Sequence, residues 1–213
     1  VPINRSRIRF AALLGAAFVA TATPGVAVAA PEPEPVPVRW EFDFRPDALR
    51  LARLDVDDEG PVWFAFMTYR VANHSGEDRM LAPLFELGTD EGHVIRSGRE
   101  VPPEITSRVM AMLGDPLIED QLAIVGSLLQ GIENTRRGVV VWRLPALDMD
   151  ELIVFAAGLS GESEAFFTTD PATGESVRHV LRKTRMLRFA VPGQITPQSP
   201  PTPEQIEARW ILR

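Results

Sequence analysis

The sequence predicts a mainly β protein: an antiparallel β-sandwich of eight or nine short strands with one short inserted α-helix. Three observations carry that expectation. Apolar residues recur at alternate positions or in continuous runs of strand length; Gly, Pro, Asn and Asp clusters punctuate those runs at short intervals; and a single segment combines helical spacing with helix-ending chemistry.

The stretch from Val62 to Ile95 organises the rest. Val62 to Met67 is apolar at every position, which predicts a central strand covered on both faces. From Thr68 the pattern relaxes. Tyr69 and Val71 keep one face apolar while Thr68 and Arg70 take the other, so the strand emerges toward water and stops at Asn73. Asn73 to Asp78 reads as a polar turn, with Gly76 free to adopt positive φ. Leu84 to Leu87 reads as the second strand of a central pair, followed by a tight turn at Thr89 to Gly92.

Ahead of that pair, Trp40 and Phe42 alternate with charged neighbours, the signature of a strand with one wet face, which Pro46 is expected to interrupt. Leu49 to Val56 then forms another short strand, closed by the acidic turn Asp57 to Gly60. Beyond the pair, a strand starts at His93 and ends near Gly98. Pro102 to Gly114 is the clearest helix: proline fits the first turn, Ile105, Val109, Met112 and Leu113 share a face, and Gly114 suits the C-terminal cap. Leu117 to Gln130 supports two patterns, a helical stripe through Ile118, Leu122, Val125 and Leu129 and an alternation through Leu122, Ile124 and Leu128; extended structure is expected from Ala123 onward. A polar loop over Gln130 to Gly138 precedes an interior strand at Val139 to Leu144. Asp148 to Glu151 is an acidic turn and Leu152 to Ala157 a continuous apolar strand. The turn at Asp170 to Gly174 sets up a long strand region from Val177 to Val191. Trp210, Ile211 and Leu212 are too apolar to dangle, so the C-terminus is expected to dock on the domain.

The chain divides by composition. Arg5, Arg7 and Arg9 precede an apolar run from Phe10 to Ala22, and Ala27 to Ala29 offers the small residues a signal peptidase reads, so residues 1–29 are expected to be a cleaved secretory signal peptide. The apolar run falls short of the roughly 20 residues of a transmembrane helix, so no stable membrane span is expected after cleavage. Residues 30–37 place proline at alternate positions and predict an extended linker. The β-sandwich domain is assigned to 38–191, and a proline-rich tail with a docked terminus to 192–213. The net charge is −7, and losing the leader's three arginines makes it −10. Such an acidic surface disfavours phosphate backbones, so nucleic acid is not expected as a partner. There is no cysteine, so neither disulfides nor thiolate metal sites hold the fold and a core must.

Two catalytic or metal patterns begin and fail. Asp55, Asp57, Glu59 and Gly60 open like a calcium loop, but Phe66 stands where the twelfth-position glutamate belongs and a strand follows. Gly158-Leu159-Ser160-Gly161 follows a strand as a nucleophile elbow does, but Glu162 replaces the final glycine, and His74, His93 and His179 fall in turns or at strand edges. No catalytic, cofactor-binding or metal-binding residue is assigned, and no cofactor is expected. Arg178, Arg182, Lys183, Arg185 and Arg188 form the one basic stretch; it reads as a strand whose cations face acidic neighbours, with a ligand-carboxylate or polyanion site as the alternative. Lys183 is the only lysine beside 21 arginines.

Thr68 to Asp78, then Pro83 to Gly92, Leu128 to Gly131, Val139 to Trp142 and Gly158 to Glu162 together resemble bacterial exported immunoglobulin-like domains of unknown function. The likeness spans about Val62 to Glu162 and resides in structural turns; the helix at Pro103 to Leu113 departs from a minimal sandwich. It implies an immunoglobulin-like sandwich, an envelope location and a structural or protein-interaction role, and it transfers no active-site residue. Other envelope proteins are the expected partners. A glycan or small ligand held by exposed tryptophans is the alternative, with Trp63 and Trp142 expected in the core and Trp40 and Trp210 left as candidates; a carboxylate-dependent hydrolase is a third reading. Ser75, Glu77 and Asp78, in the polar turn, are the candidate interaction residues.

Overall fold

The computed structural model describes residues 31–145, 149–170, 172–193 and 201–213. The expected leader, Ala30, Asp148 of the acidic turn, Pro171 of the later turn and most of the proline-rich stretch after Gly193 lie outside the described residues. In chain order the elements are β1 (Asp43–Val56), β2 (Gly60–Asn73), β3 (Arg79–Leu81), β4 (Leu84–Thr89), β5 (Val94–Arg96), α1 (Pro103–Leu113), β6 (Ile118–Glu119), β7 (Gly126–Leu128), β8 (Gly131–Arg143), β9 (Glu151–Ala157), β10 (Ser163–Thr169), β11 (Ser176–Ala190) and β12 (Glu204–Leu212). The chain is mainly β, its sheets mostly antiparallel, with one short helix. Among the described residues no helix is long and apolar enough to cross a membrane.

Two sheets share a core. The first runs β1-β2-β8-β6; the second runs β10-β11-β9-β4-β5, with β12 also on β11; β3 and β7 form a small third pair. On β2 the alternate residues Trp63, Ala65, Met67, Tyr69 and Val71 face the second sheet, where Phe85, Leu87, Leu152, Val154, Leu187 and Phe189 meet them. The intervening Phe64 and Phe66 face the other way and pack, with Leu54, Val139 and Val141, against Ile105 and Val109 of α1. This explains the unbroken apolar run at Val62 to Met67: one face lies under a sheet and the other under a helix. Each large side chain fully buried there contributes roughly 1.5–3 kcal/mol. The helix ends as expected, at Gly114 with φ 65°, whose N–H donates to the Met110 carbonyl. Met112, by contrast, is exposed.

The structure corrects several strand assignments. The segments expected to pair, β2 and β4, belong to different sheets and face each other across the core, because Asn73 to Pro83 carries the chain from one sheet to the other. Pro46 does not end a strand: β1 continues through it with a bulge before Leu49. As an outer strand, β1 pairs only with β2, so its free side tolerates a missing N–H. The polar loop expected before Gly138 is the first half of β8, paired with β2 through Val71↔Arg136 and Arg70↔Arg137. Partner strands supplied what its sequence lacked, and Arg136 forms a charge-assisted hydrogen bond with Glu119. In the ambiguous segment only Gly126–Leu128 is extended beyond Ala123, and the Asp120 carboxylate caps a turn by accepting the N–H groups of Leu122 and Ala123. The C-terminus docks as expected, as β12 along β11.

Gly138 sits where β8 crosses Tyr69: an added Cβ would stand 2.4 Å from Tyr69 Cζ and 2.6 Å from Ile124 Cδ1. The Tyr69 hydroxyl is buried without a hydrogen-bond partner among the described residues. Burial first, then the nearby Glu119 charge, pushes its ionisation well above the ordinary range. Gly138→Ala is therefore expected to cost about 1–3 kcal/mol by overpacking. Tyr69→Phe, which loses no hydrogen bond, should leave stability unchanged or slightly raised. Urea denaturation of the two variants checks both.

Candidate functional site

Asn73 ends β2 and is fully buried. Its Nδ2 donates to the carbonyls of Glu77 (2.9 Å) and Leu128 (2.8 Å), and its Oδ1 accepts the Ser75 N–H (3.0 Å). The Ser75 hydroxyl donates to the Glu77 carbonyl and accepts Arg79 Nε at 2.8 Å, while the Arg79 guanidinium pairs with the Glu77 carboxylate. Asp78 Oδ1 accepts the Gln130 N–H at 3.0 Å, and Gln130 Nε2 donates to the Glu77 carbonyl. The structure thus brings the candidate interaction residues Ser75, Glu77 and Asp78 together, but as a loop tied to itself and to the Leu128–Gln130 strand end. Their polar groups fix the loop's shape. The residue that anchors it, Asn73, carried a sequence signal as the polar residue closing an apolar strand.

This loop forms one wall of an open concavity of about 800 Å³; the segment from Pro37 to Asp43 forms the other, and His74, Ser75 and Arg79 line it. Trp40 is held from several sides. The Arg79 guanidinium lies 5.0 Å from its ring centre and the Phe42 ring 4.9 Å away. A Cβ at Gly161 would come within 2.3 Å of Nε1, so only glycine fits beneath the indole. The Ser160 hydroxyl donates to the Trp40 carbonyl, which also accepts the Gly161 N–H, and Ser160 Oγ accepts the Glu162 N–H. The Gly-Leu-Ser-Gly segment is therefore a seat for Trp40, with its hydroxyl engaged in the backbone.

Behind Trp40 lies a buried ion cluster that the sequence did not announce. Lys183 is 2% exposed, and its Nζ stands 2.8 Å from Glu162 Oε2 and 3.0 Å from Glu41 Oε2. The Glu34 N–H donates to Glu162 Oε1 at 3.0 Å, and the Trp210 ring centre lies 5.5 Å from the ammonium. Burial alone would raise the Glu162 carboxyl, but the Lys183 hydrogen bond and the Glu34 N–H outweigh it and hold the group below its usual range. Burial likewise works against the Lys183 ammonium, and the two carboxylates reverse it, raising its pKa. Both groups stay charged at neutral pH. The cluster ties Glu34 and Glu41 of the N-terminal segment to β11. Two members of the expected basic stretch thus face acidic neighbours, Lys183 here and Arg188 against Glu151 and Glu207; Arg178 and Arg182 are exposed.

A second surface feature is β10, which the sequence reading left unassigned. All seven of its residues are exposed. It pairs with Ser176 to Arg182 of β11, whereas β12 joins β11 from Lys183 and β9 from Arg185. The two strands form a ribbon reaching past the rest of the sheet. Phe167 is 65% exposed, and Phe166, Val177 and Val180 about 40%. Phe166 stacks on His179 at 4.9 Å, and Thr168 Oγ1 hydrogen-bonds His179 Nε2. Among the described residues no group of three His, Asp or Glu side chains is placed to hold a metal ion.

Lys183→Met would leave the buried Glu162 carboxylate, and the half-buried Glu41 beside it, without their cation and is expected to cost roughly 3–5 kcal/mol near neutral pH. The lowered Glu162 pKa stabilises the fold fully above the ordinary carboxylate range, and this is lost as pH falls through the folded value. The raised Lys183 pKa stabilises it below the ordinary lysine range and is lost at higher pH. The deficit of Lys183→Met should therefore shrink toward acid pH, as urea denaturation between about pH 3 and 9 would reveal. No protein-family model, no curated protein and no solved structure matches this chain.

Proposed function

We propose that this protein is an exported interaction module of immunoglobulin-like kind, which binds other envelope proteins through the β10–β11 ribbon. One observation carries the reading: a two-stranded ribbon with Phe166, Phe167, Val177 and Val180 in solvent and a strand edge open along β10. Soluble proteins blunt open edges or cover apolar clusters, and an edge left bare beside aromatic side chains favours β-strand addition by a partner. The leader pattern at residues 1–29 supports export, and two mostly antiparallel sheets on one core support the sandwich reading. No cofactor enters this role.

Binding of a glycan or small ligand in the concavity beside Trp40 is the second reading, favoured by its volume of about 800 Å³ and its mixed Arg, Asp, His and Ser lining. Stacking a sugar on Trp40 would require Arg79 to leave the ring. Capture of envelope proteins on the immobilised chain separates the two. Phe166→Ser with Phe167→Ser is expected to abolish capture while shifting stability by no more than about 0.5 kcal/mol, as exposed substitutions do. Capture that survives this variant and is lost in Arg79→Ala would reject the ribbon in favour of the concavity.

A further inference from the structure

We infer that residues 31–41 form a latch, which swings away from the folded body about Phe42 and uncovers Lys183 while both sheets stay intact. The backbone holds this segment loosely. Pro31, Pro33, Pro35 and Pro37 have no N–H to donate to a ladder, residues 34–39 are exposed, and the only strand-like pairing is the single bridge Glu41↔Ser160. Among the described residues three points fasten it: the Glu34 N–H donates to Glu162, the Trp40 carbonyl accepts the Gly161 N–H and the Ser160 hydroxyl, and the Glu41 carboxylate faces Lys183. Phe42 is 2% exposed and donates its N–H to the Leu159 carbonyl, so it stays with the core and marks the hinge.

The partners that the segment leaves behind are already paired among themselves. Lys183 keeps Glu162 at 2.8 Å, Arg79 keeps the Glu77 carboxylate and the Ser75 hydroxyl, and Ser160 Oγ keeps the Glu162 N–H. Opening therefore strands no buried charge, which is the largest penalty that breaking such a cluster carries. The cost that remains is the contact of half-buried Trp40 with Phe42 and Gly161. The Glu34 amide, Trp40 and Glu41 pass to water together, because one short segment stiffened by prolines carries all three. Closed, that segment walls the concavity and covers the ammonium; open, it takes the wall away. A ligand seated between Trp40 and the 74–79 loop would thus hold the latch shut by mass action.

Lys183 is the only lysine, so an acetylating reagent reports its exposure at one position mapped by mass spectrometry. In the full chain, hydrogen exchange at the Glu34 and Gly161 amides is expected to share one opening, at least about tenfold more frequent than the opening that exposes the amides of central β2. Low urea should speed exchange from β2 steeply and leave the latch amides nearly unchanged, because opening the latch exposes little surface. Acetylation of Lys183 should proceed through that same opening. Glu34→Pro, which removes one N–H from a segment already rich in proline, and Glu41→Gln, which removes a charge facing Lys183, should each raise acetylation by about tenfold, as expected for losing a hydrogen bond to a charged group. Gly161 exchange and Lys183 acetylation confined to the β2 opening, with its urea dependence, would overturn the inference. Unequal openings at Glu34 and Gly161, or acetylation indifferent to both substitutions, would overturn it equally.

Discussion

The fold depends on the burial of β2 on both faces. Its odd-numbered side chains from Trp63 to Val71 close the core between the two sheets, and Phe64 and Phe66 close the layer beneath α1. A strand in that position cannot alternate apolar with polar, because a polar side chain on either face would lose its water without gaining a partner. The strand can therefore be polar only where it leaves the layers, and it does so at Thr68, which donates to Asp47, and at Arg70. Asn73 marks the exit. It is a fully buried amide whose hydrogen bonds turn the chain toward the second sheet.

Around that frame the molecule uses two different devices. Near the N-terminal segment, polar groups are buried and satisfied: Trp40 sits on Gly161 beneath Arg79, and Lys183 draws Glu41 and Glu162 together. A buried ion pair adds less stability than its Coulomb energy suggests, because desolvating both charges is costly. Its clearest effect is geometric: it admits one placement of the segment from Glu34 to Phe42 and penalises others. At the ribbon the reverse holds. Apolar groups there are exposed and the backbone edge is open, in a two-stranded element that has marginal stability of its own. The ion cluster therefore holds its segment closed, whereas the ribbon leaves apolar side chains in solvent.

Ser75, Glu77 and Asp78 show what turn chemistry in a sequence locates and what it leaves open. The sequence located a polar turn between strands, and the turn is there. Turn chemistry cannot say whether its carboxylates and hydroxyl face a partner or the chain itself; here they hold the loop to Gln130 and Arg79. The ribbon was missed for the converse reason. Glu164 to Thr169 has strand-forming residues but too short a pattern, and nothing local announces that its faces stay uncovered.

The sequence by itself determined the class of structure: where apolar runs force strands, where Pro102 and Gly114 bound a helix, and that Trp63 and Trp142 are core, because periodicity and turn chemistry are local and act through the nearest few residues. Only the tertiary structure decided which strands neighbour one another, that the polar residues before Gly138 are a strand, that Pro46 lies within one, and that the sole lysine is buried between two glutamates. Those outcomes depend on partners distant in the chain, and no residue carries a mark of the partner it will meet.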